Sequence, residues 1–369
     1  MKILTLAGAL ICAAALTLTS CAEAPGTGGA SAPAESPAAT AAGGGGFKAC
    51  MVSDSGGFDD KGFNEVSHKG LTDAKAELGI ETGEVESHAT ADYAKNIQSM
   101  VDADCGIIVT VGFLLGDDTL AAAKKNPDVK FAIVDFNDPK TYPAVKNLKP
   151  LVFNTAQSSF LAGYLAAGMS KTKKVGTFGG AKIPTVTIFM DGFSQGVDYY
   201  NKQKGANVQL LGWDAAKQDG QFTGDFEDIK GGQRTAQGLI SQGVDIVFPV
   251  AGPAGLGALQ ATKASGGKVN AIWVDTDGCV SAKTYCPNLI SSVEKVMDVA
   301  VTDAIKSAQD GSFTNEPYVG TLENDGTSLA PFHDFDSKVP AELKSEIDAL
   351  KADIISGKIT IDSKAQPTA

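Results

Sequence analysis

Five stretches of this chain put carboxylates, aromatic rings and glycines directly behind short apolar runs. The first is Asp54-Ser55-Gly56-Gly57-Phe58-Asp59-Asp60-Lys61-Gly62-Phe63-Asn64. Val111-Gly112-Phe113 and Val134-Asp135-Phe136 follow. The last two are Pro249-Val250-Ala251-Gly252-Pro253-Ala254-Gly255-Leu256-Gly257 and Trp273-Val274-Asp275-Thr276-Asp277. Polar groups there do not help a strand form, and any single Asp can be explained as the cap of the next helix. Five together are the material of a polar lining around a small molecule. The glycines of 252–257 lack both the G-x-G-x-x-G spacing and the G-K-[ST] ending of phosphate cradles. They still let backbone N–H groups approach a ligand. No Ser-His-Asp or Cys-His arrangement is visible. The Asp275/Asp277 pair is too small for a calcium cage, which needs about 6–8 oxygens. The chemistry on offer is binding rather than catalysis.

The elements that must position these groups alternate. Phe47–Val52 reads as a buried strand and Asp60–Leu78 as a helix, with Phe63, Val66, Gly70, Leu71, Ala74 and Leu78 at three- and four-residue steps. Strands are predicted at 83–87, 106–111 and 129–134, with helices at 92–101 and 114–125. After Leu151 the rhythm resumes, with helices at 158–169, 186–202, 228–241 and 255–264. Strands are predicted there at 175–178, 208–211, 245–249 and 271–274. Apolar strands between amphipathic helices argue for an α/β fold of parallel sheets covered on both faces. Two such series predict two doubly wound lobes. Ligands of open parallel sheets bind beyond the carboxyl ends of the strands, so the cleft between the lobes is the expected site.

The start of the chain reads as an export signal. Lys2 precedes an apolar run from Ile3 to Leu18, too short and too weakly bounded for a membrane span. Leu18-Thr19-Ser20-Cys21 resembles a lipobox, the signal of bacterial lipoproteins, which implies cleavage before Cys21, a lipid on its sulfur and a place on the outer face of a cell membrane. Residues 22–46 are nearly all Ala, Gly, Pro, Ser and Thr and read as a flexible tether. The net charge of -12 supplies no basic face for nucleic acid. Beyond the signal and Cys21, four cysteines remain. Cys279 and Cys286 flank a short loop and are expected to pair, leaving Cys50 and Cys105 for each other. No C-x-x-C spacing exists and His68, His88 and His333 are scattered, so a zinc site is disfavoured. No cofactor motif is present.

Asp54-x-Gly56-Gly57-x-Asp59-Asp60-Lys61-x-Phe63-Asn64 resembles the start of the basic membrane protein family, the purine nucleoside receptor type of ABC-transporter lipoproteins. Gly192-Phe193-x-x-Gly196, Ala251-Gly252-x-x-Gly255-Leu256-Gly257, Val274-Asp275-x-Asp277, Ser292-x-x-Lys295 and Pro331-Phe332-His333-Asp334-Phe335 continue the match in order. The resemblance runs from Phe47 to about Ile361 and implies a two-lobed receptor like the type I periplasmic binding proteins. It implies a purine nucleoside as ligand and a membrane permease, driven by a cytoplasmic ATPase, as partner. By motif position, Phe63 and Phe189 would stack on the base. Asp54, Asn64 and Asp135 would take its polar edge. Asp275 and Lys295 would hold the ribose, with the Gly252 backbone nearby. The expected organisation is a signal at 1–20 and a tether at 21–46. A first lobe follows at 47–153 plus about 278–310, and a second at 154–277 plus about 311–369. The chain departs from the family at Gly278-Cys279, where Gln is common, at Pro253-Ala254 in place of Gly-Thr, and in Glu294 beside Lys295. These changes touch the ribose side.

Two other classes compete. A sugar or polyol receptor could use the same fold, although Trp213 and Trp273 are the only tryptophans. A nucleoside hydrolase would need more metal-binding oxygens than Asp275 and Asp277 provide. A surface protein binding host or matrix molecules is a third reading.

Overall fold

The computed structural model describes residues 46–367. The expected signal, Cys21 and nearly all of the tether lie outside those residues.

The first half of the chain runs β1 (Lys48–Ser53), α1 (Phe63–Leu78), β2 (Glu81–Val85), α2 (Tyr93–Asp102), β3 (Ile107–Val111), α3 (Gly116–Lys125), β4 (Lys130–Val134) and β5 (Leu148–Phe153). These strands are parallel, in the order β5-β4-β3-β1-β2. Helices cover both faces, which is why all five residues of β3 are buried and apolar or hydroxylic. Helix α1 starts three residues later than its apolar spacing predicts. The Asp60 carboxylate stays outside the helix and accepts from the N–H groups of Gly62, Asn64 and Glu65. That satisfies donors the first turn would otherwise orphan. Gly79, at φ 66°, ends the helix with a left-handed cap.

The second series is α4 (Thr155–Met169), β6 (Lys174–Gly179), α5 (Pro184–Lys204), β7 (Gln209–Leu211), a small ribbon of β8 (Trp213–Asp214) and β9 (Asp219–Gly220), α6 (Ile229–Ser241), β10 (Ile246–Val250), α7 (Gly255–Ala264), β11 (Asn270–Asp275), α8 (Gly278–Ser281) and β12 (Leu289–Lys295). Its parallel strands lie in the order β12-β11-β10-β6-β7. Helices α4 and α5 pack backbone to backbone. A Cβ on Gly192 would strike the Ala156 carbonyl, and one on Gly196 the Phe160 carbonyl. The glycines of the Gly192-Phe193-x-x-Gly196 motif therefore serve helix packing.

Four elements complete the chain: α9 (Met297–Asp310), β13 (Tyr318–Gly320), β14 (Thr327–Leu329) and α10 (Ala341–Ile355). Helix α9 buries Met297, Ala300, Val301, Ala304 and Ile305 in the core that β1 and α1 build with Ala49, Met51 and Leu71. Strand β13 pairs with β5, so each sheet has six strands; β14 runs antiparallel to β12. The lobe boundaries differ from the expected ones at two places. Residues 289–295 belong to the second sheet, so of 278–310 only α9 joins the first lobe. Tyr318–Gly320 lies in the first sheet, whereas 311–369 is expected in the second lobe. The physical reason is that the chain crosses between sheets three times, at Asn154, at Val296 and between Gly320 and Thr327. An apolar rhythm does not reveal a crossing. The crossings are bonded to each other: Asn154 N–H donates to the Gly320 carbonyl at 2.7 Å and Val296 N–H to the Gly326 carbonyl at 3.0 Å. The Thr327 hydroxyl donates to the Glu294 carbonyl at 2.7 Å.

Cys50 and Cys105 are disulfide-bonded, with Cα atoms 5.9 Å apart, tying β1 to the segment entering β3. Cys279 and Cys286 close the loop after β11, at a Cα separation of 4.6 Å. Among the described residues no helix is long and apolar enough to cross a membrane.

Candidate functional site

Strand ends of both sheets converge on one cavity of about 550 Å³, counting its open mouth. From the first lobe come Asp54 after β1, Phe63 and Asn64 at the start of α1, Phe113 after β3 and Asp135 after β4. From the second come Phe189 on α5, Gly252 after β10, Asp275 closing β11 and Lys295 closing β12. All eight residues singled out in the sequence for ligand contact line this one space. Its walls also include Asp60, Phe113, Ile183, Thr185, Val186 and Phe226. Asp60 and Phe113 stood in sequence stretches already noted; Phe226 lies in the irregular segment before α6 and carries no sequence signal.

Lys295 is the electrostatic centre. It is 4 % exposed. Its Nζ donates to Asp135 Oδ2 across the cleft at 2.5 Å and lies 3.7 Å from Asp275 Oδ1. Lys295 is therefore not a solvated charge at the start of a helix. Asp135, expected with the base-side groups, is bonded to the residue expected on the ribose side. The Lys295 Nζ also lies 4.9 Å from the centre of the Phe63 ring and 5.2 Å from that of Phe189. The two ring centres are thus at most about 10 Å apart, and a flat group between them needs roughly 7–8 Å. Phe63 serves twice: it packs on the first-lobe core and faces the cavity.

The acids are buried beyond ordinary carboxylate behaviour. Burial pushes Asp54 up to about 8 against the opposing Asn64 amide, and Asp275 up to about 6 against the opposing Lys295 charge. Burial raises Asp135 and Asp60 as well. At the Asp54 end, Asn64 Nδ2 donates to Asp54 Oδ1 at 3.3 Å and to the Ser55 carbonyl at 3.1 Å. Asn64 Oδ1 is buried and accepts nothing. Such an orphaned acceptor costs about 1–3 kcal/mol unless something fills it. Gly112, at φ 122°, lets β3 end against Asp54, since a Cβ there would collide with the carboxylate.

The lobes touch across the cleft. Gly56 N–H donates to Glu227 Oε1 at 2.9 Å, and Trp273 Nε1–H donates to the Lys61 carbonyl at 3.3 Å. Neither tryptophan lines the cavity: Trp213 Nε1–H is bonded to Asp191 Oδ1 at 3.0 Å. Asp277 does not join Asp275. Its carboxylate caps α8 at Cys279 N–H and meets His333 Nε2 at 2.6 Å.

Comparison with known proteins agrees with this architecture. Residues 47–363 match the family model Bmp, described as ABC transporter substrate-binding protein PnrA-like. Basic membrane protein A of Borreliella burgdorferi is 32% identical over 320 residues, covering 84% of this chain and 86% of that protein. The ABC transporter nucleoside-binding protein BmpA of Lactococcus lactis is 30% identical over 336 residues, covering 86% and 90%. An ABC transporter solute-binding protein of Aeropyrum pernix superposes with a TM-score of 0.77 at 24% identity, over 88% of this chain and 94% of that one. The fold is thus that of the type I periplasmic binding proteins. A family match over residues 47–363, nearly all of those described, makes this chain a member of the Bmp family of ABC transporter substrate-binding proteins.

Proposed function

We propose that this protein captures a nucleoside, with a purine preferred, in the interlobe cavity and hands it to the permease of an ABC transporter. One observation carries the reading: phenyl rings from opposite lobes flank a buried lysine that is itself bounded by two aspartates. Rings suit a flat heterocycle, and stacking is worth about 1–3 kcal/mol per base. Carboxylates beside an ammonium suit a vicinal diol, whose hydroxyls donate to the acid and accept from the lysine. The orphaned Asn64 Oδ1 and the Asp54 carboxyl offer hydrogen bonds to a base edge. The name of the Lactococcus lactis relative points the same way.

The rival readings lose ground on geometry. A sugar receptor would want its tryptophans in the cleft, and both lie elsewhere. A hydrolase using Asp275 and Asp277 would need them to converge, and Asp277 is engaged by His333. The direct test is to denature protein purified from its native host and identify the released molecule by mass spectrometry, followed by calorimetry with inosine, guanosine and adenosine. A free sugar as the bound species, or no nucleoside binding, overturns the assignment.

The same reading places the mature protein on the outer face of a membrane, lipid-anchored through Cys21 and joined to its body by the 22–46 tether. Cys21→Ala should move it from the membrane to the soluble fraction; retention of the variant on membranes refutes the anchor.

A further inference from the structure

The cavity holds more buried acid than its one cation balances. Four carboxyl groups line it, from Asp54, Asp60, Asp135 and Asp275. Lys295 is the only lysine, arginine or histidine among the described lining residues. None of these five side chains belongs to a residue more than 8 % exposed. Lys295 serves Asp135 and Asp275. Asp60 is occupied by three backbone N–H groups. Among the described residues Asp54 has one side-chain donor, the Asn64 amide, and no cation. Beside it sits the buried, unpartnered Asn64 Oδ1. Glu227 at the Gly56 backbone adds a further acid near the same end. An amide oxygen without a donor and a carboxyl without a cation therefore line the same cavity as Phe63, whose ring is one wall of the proposed base slot.

We infer that the site takes nucleosides whose base carries a positive charge, such as a pyridinium or an N-alkylated purine, in preference to neutral counterparts of the same shape, through Asp54 and the flanking rings. A delocalised cation in the slot would be attracted by the faces of Phe63 and Phe189 and by the Asp54 carboxylate, while the Lys295 ammonium near the same rings is offset by Asp135 and Asp275. It would also allow Asp54 to ionise without leaving a naked buried charge. An anionic extension such as a 5′-phosphate would face four carboxyls and an ammonium already bonded to Asp135. This inference rests on the nucleoside reading and narrows it.

The test compares two ligands that differ in charge and little in shape: nicotinamide riboside, a permanent pyridinium, and its neutral 1,4-dihydro form. Both are titrated calorimetrically into the wild-type protein and Asp54→Asn, with inosine as reference. The expected result is a preference for the cation of roughly tenfold or more in the wild type, on the scale of a desolvated cation–π contact with an added charge. Asp54→Asn should reduce that ratio severalfold. Wild-type affinities equal within about threefold overturn the inference, and a ratio unchanged in Asp54→Asn overturns the role given to Asp54. Because the wild-type comparison needs no variant, poor folding of Asp54→Asn does not spare the idea. Inosine binding alongside a failed charge preference sinks this inference alone; no binding of inosine or either riboside sinks the nucleoside reading itself.

Discussion

Asp135 and Asp275 occupy the same place in the two sheets. Each stands at the carboxyl end of the strand third from the edge in its sheet, Asp135 just after β4 and Asp275 closing β11, and each has left-handed backbone, at φ 69° and 68°. An L-residue in that region costs of order 1–2 kcal/mol. The cost is met twice, at two matching edges, and both side chains turn to the same ammonium, Lys295. The two lobes thus present a near-symmetric pair of acids to one cation that belongs to only one of them. Since Lys295 reaches across to Asp135, the contact also ties the lobes together. On the proposed function, a ligand oxygen competing for Lys295 would act on this tie between the lobes as well as on its own binding.

Lys295→Met should be the most damaging single change at the site. It leaves Asp135 and Asp275 buried without a counter-charge, and breaking a buried pair by removing one partner costs about 3–5 kcal/mol. Both a lower Tm and a loss of nucleoside affinity of 100-fold or more are expected. Thermal melts and calorimetry on the same preparation check this, and wild-type behaviour in both would contradict it.

Asp54 gives the fold a pH dependence of defined sign. Its carboxyl is pushed from the ordinary 3.8 up to about 8 by burial. The native state therefore holds a proton that the unfolded chain has released, so stability falls as pH rises from about 4 to 8. Asp275, raised to about 6, adds to the slope in the lower part of that window. Asp54→Asn removes the larger contribution while keeping a side chain that can accept from Asn64. Its Tm should fall less than that of wild type between pH 5 and pH 8. Parallel Tm curves for the two proteins would show that Asp54 does not titrate as its burial implies.

Phe63→Ala and Phe189→Ala should each cost about 5- to 150-fold in purine nucleoside affinity, the loss of one stacked face. Their stability effects should diverge. Phe189 is 1 % exposed and packs against Phe248 with ring centres 6.3 Å apart, so truncation opens a core cavity worth about 3–5 kcal/mol. Phe63 is only partly buried and should cost less. Equal destabilisation with no change in affinity would reassign both rings to the core.

These residues show what the sequence made legible. The strand ends that carry Asp54, Asp135, Gly252 and Asp275 follow continuous apolar runs, and a parallel sheet displays that signal openly. Strand β5 is not legible in the sequence because Pro150 lies inside it, paired with Ile133, and proline argues against an interior strand. Strand β12 is not legible either, because its centre is Ser291-Ser292, polar in sequence but buried, with the Ser291 hydroxyl donating to the Ala330 carbonyl at 2.6 Å. That hides the second-sheet origin of Lys295. The Lys295–Asp135 bond spans 160 residues and depends on how the lobes meet, which no local pattern encodes.

The two disulfides should differ in weight. Cys50–Cys105 closes 55 residues and Cys279–Cys286 only 7. Loop-closure entropy then gives about 4 kcal/mol for the first and about 2 for the second. Denaturant unfolding of the Cys50→Ala/Cys105→Ala and Cys279→Ala/Cys286→Ala double variants should show the larger loss in the former. The reverse order would mean that the short loop after β11 is held mainly by its bridge.

The ribose assignment of Asp275 yields the sharpest test, because ligand and protein can be trimmed together. If the Asp275 carboxylate accepts from the 2′- and 3′-hydroxyls, wild type should bind 2′-deoxyinosine more weakly than inosine. A lost hydrogen bond to a charged group is worth about 1.5–3 kcal/mol, or about 10- to 150-fold. Asp275→Ala should bind inosine more weakly and discriminate little between the two ligands, since the partner of the missing hydroxyl is gone. The variant should remain folded. Lys295 keeps its bond to Asp135, so no buried ammonium is left unpaired. Asp135→Ala removes that closer partner and should therefore destabilise the protein more than Asp275→Ala does. A full deoxy penalty persisting in Asp275→Ala would place the ribose hydroxyls against another group, with Asp135 the nearest acid to Lys295.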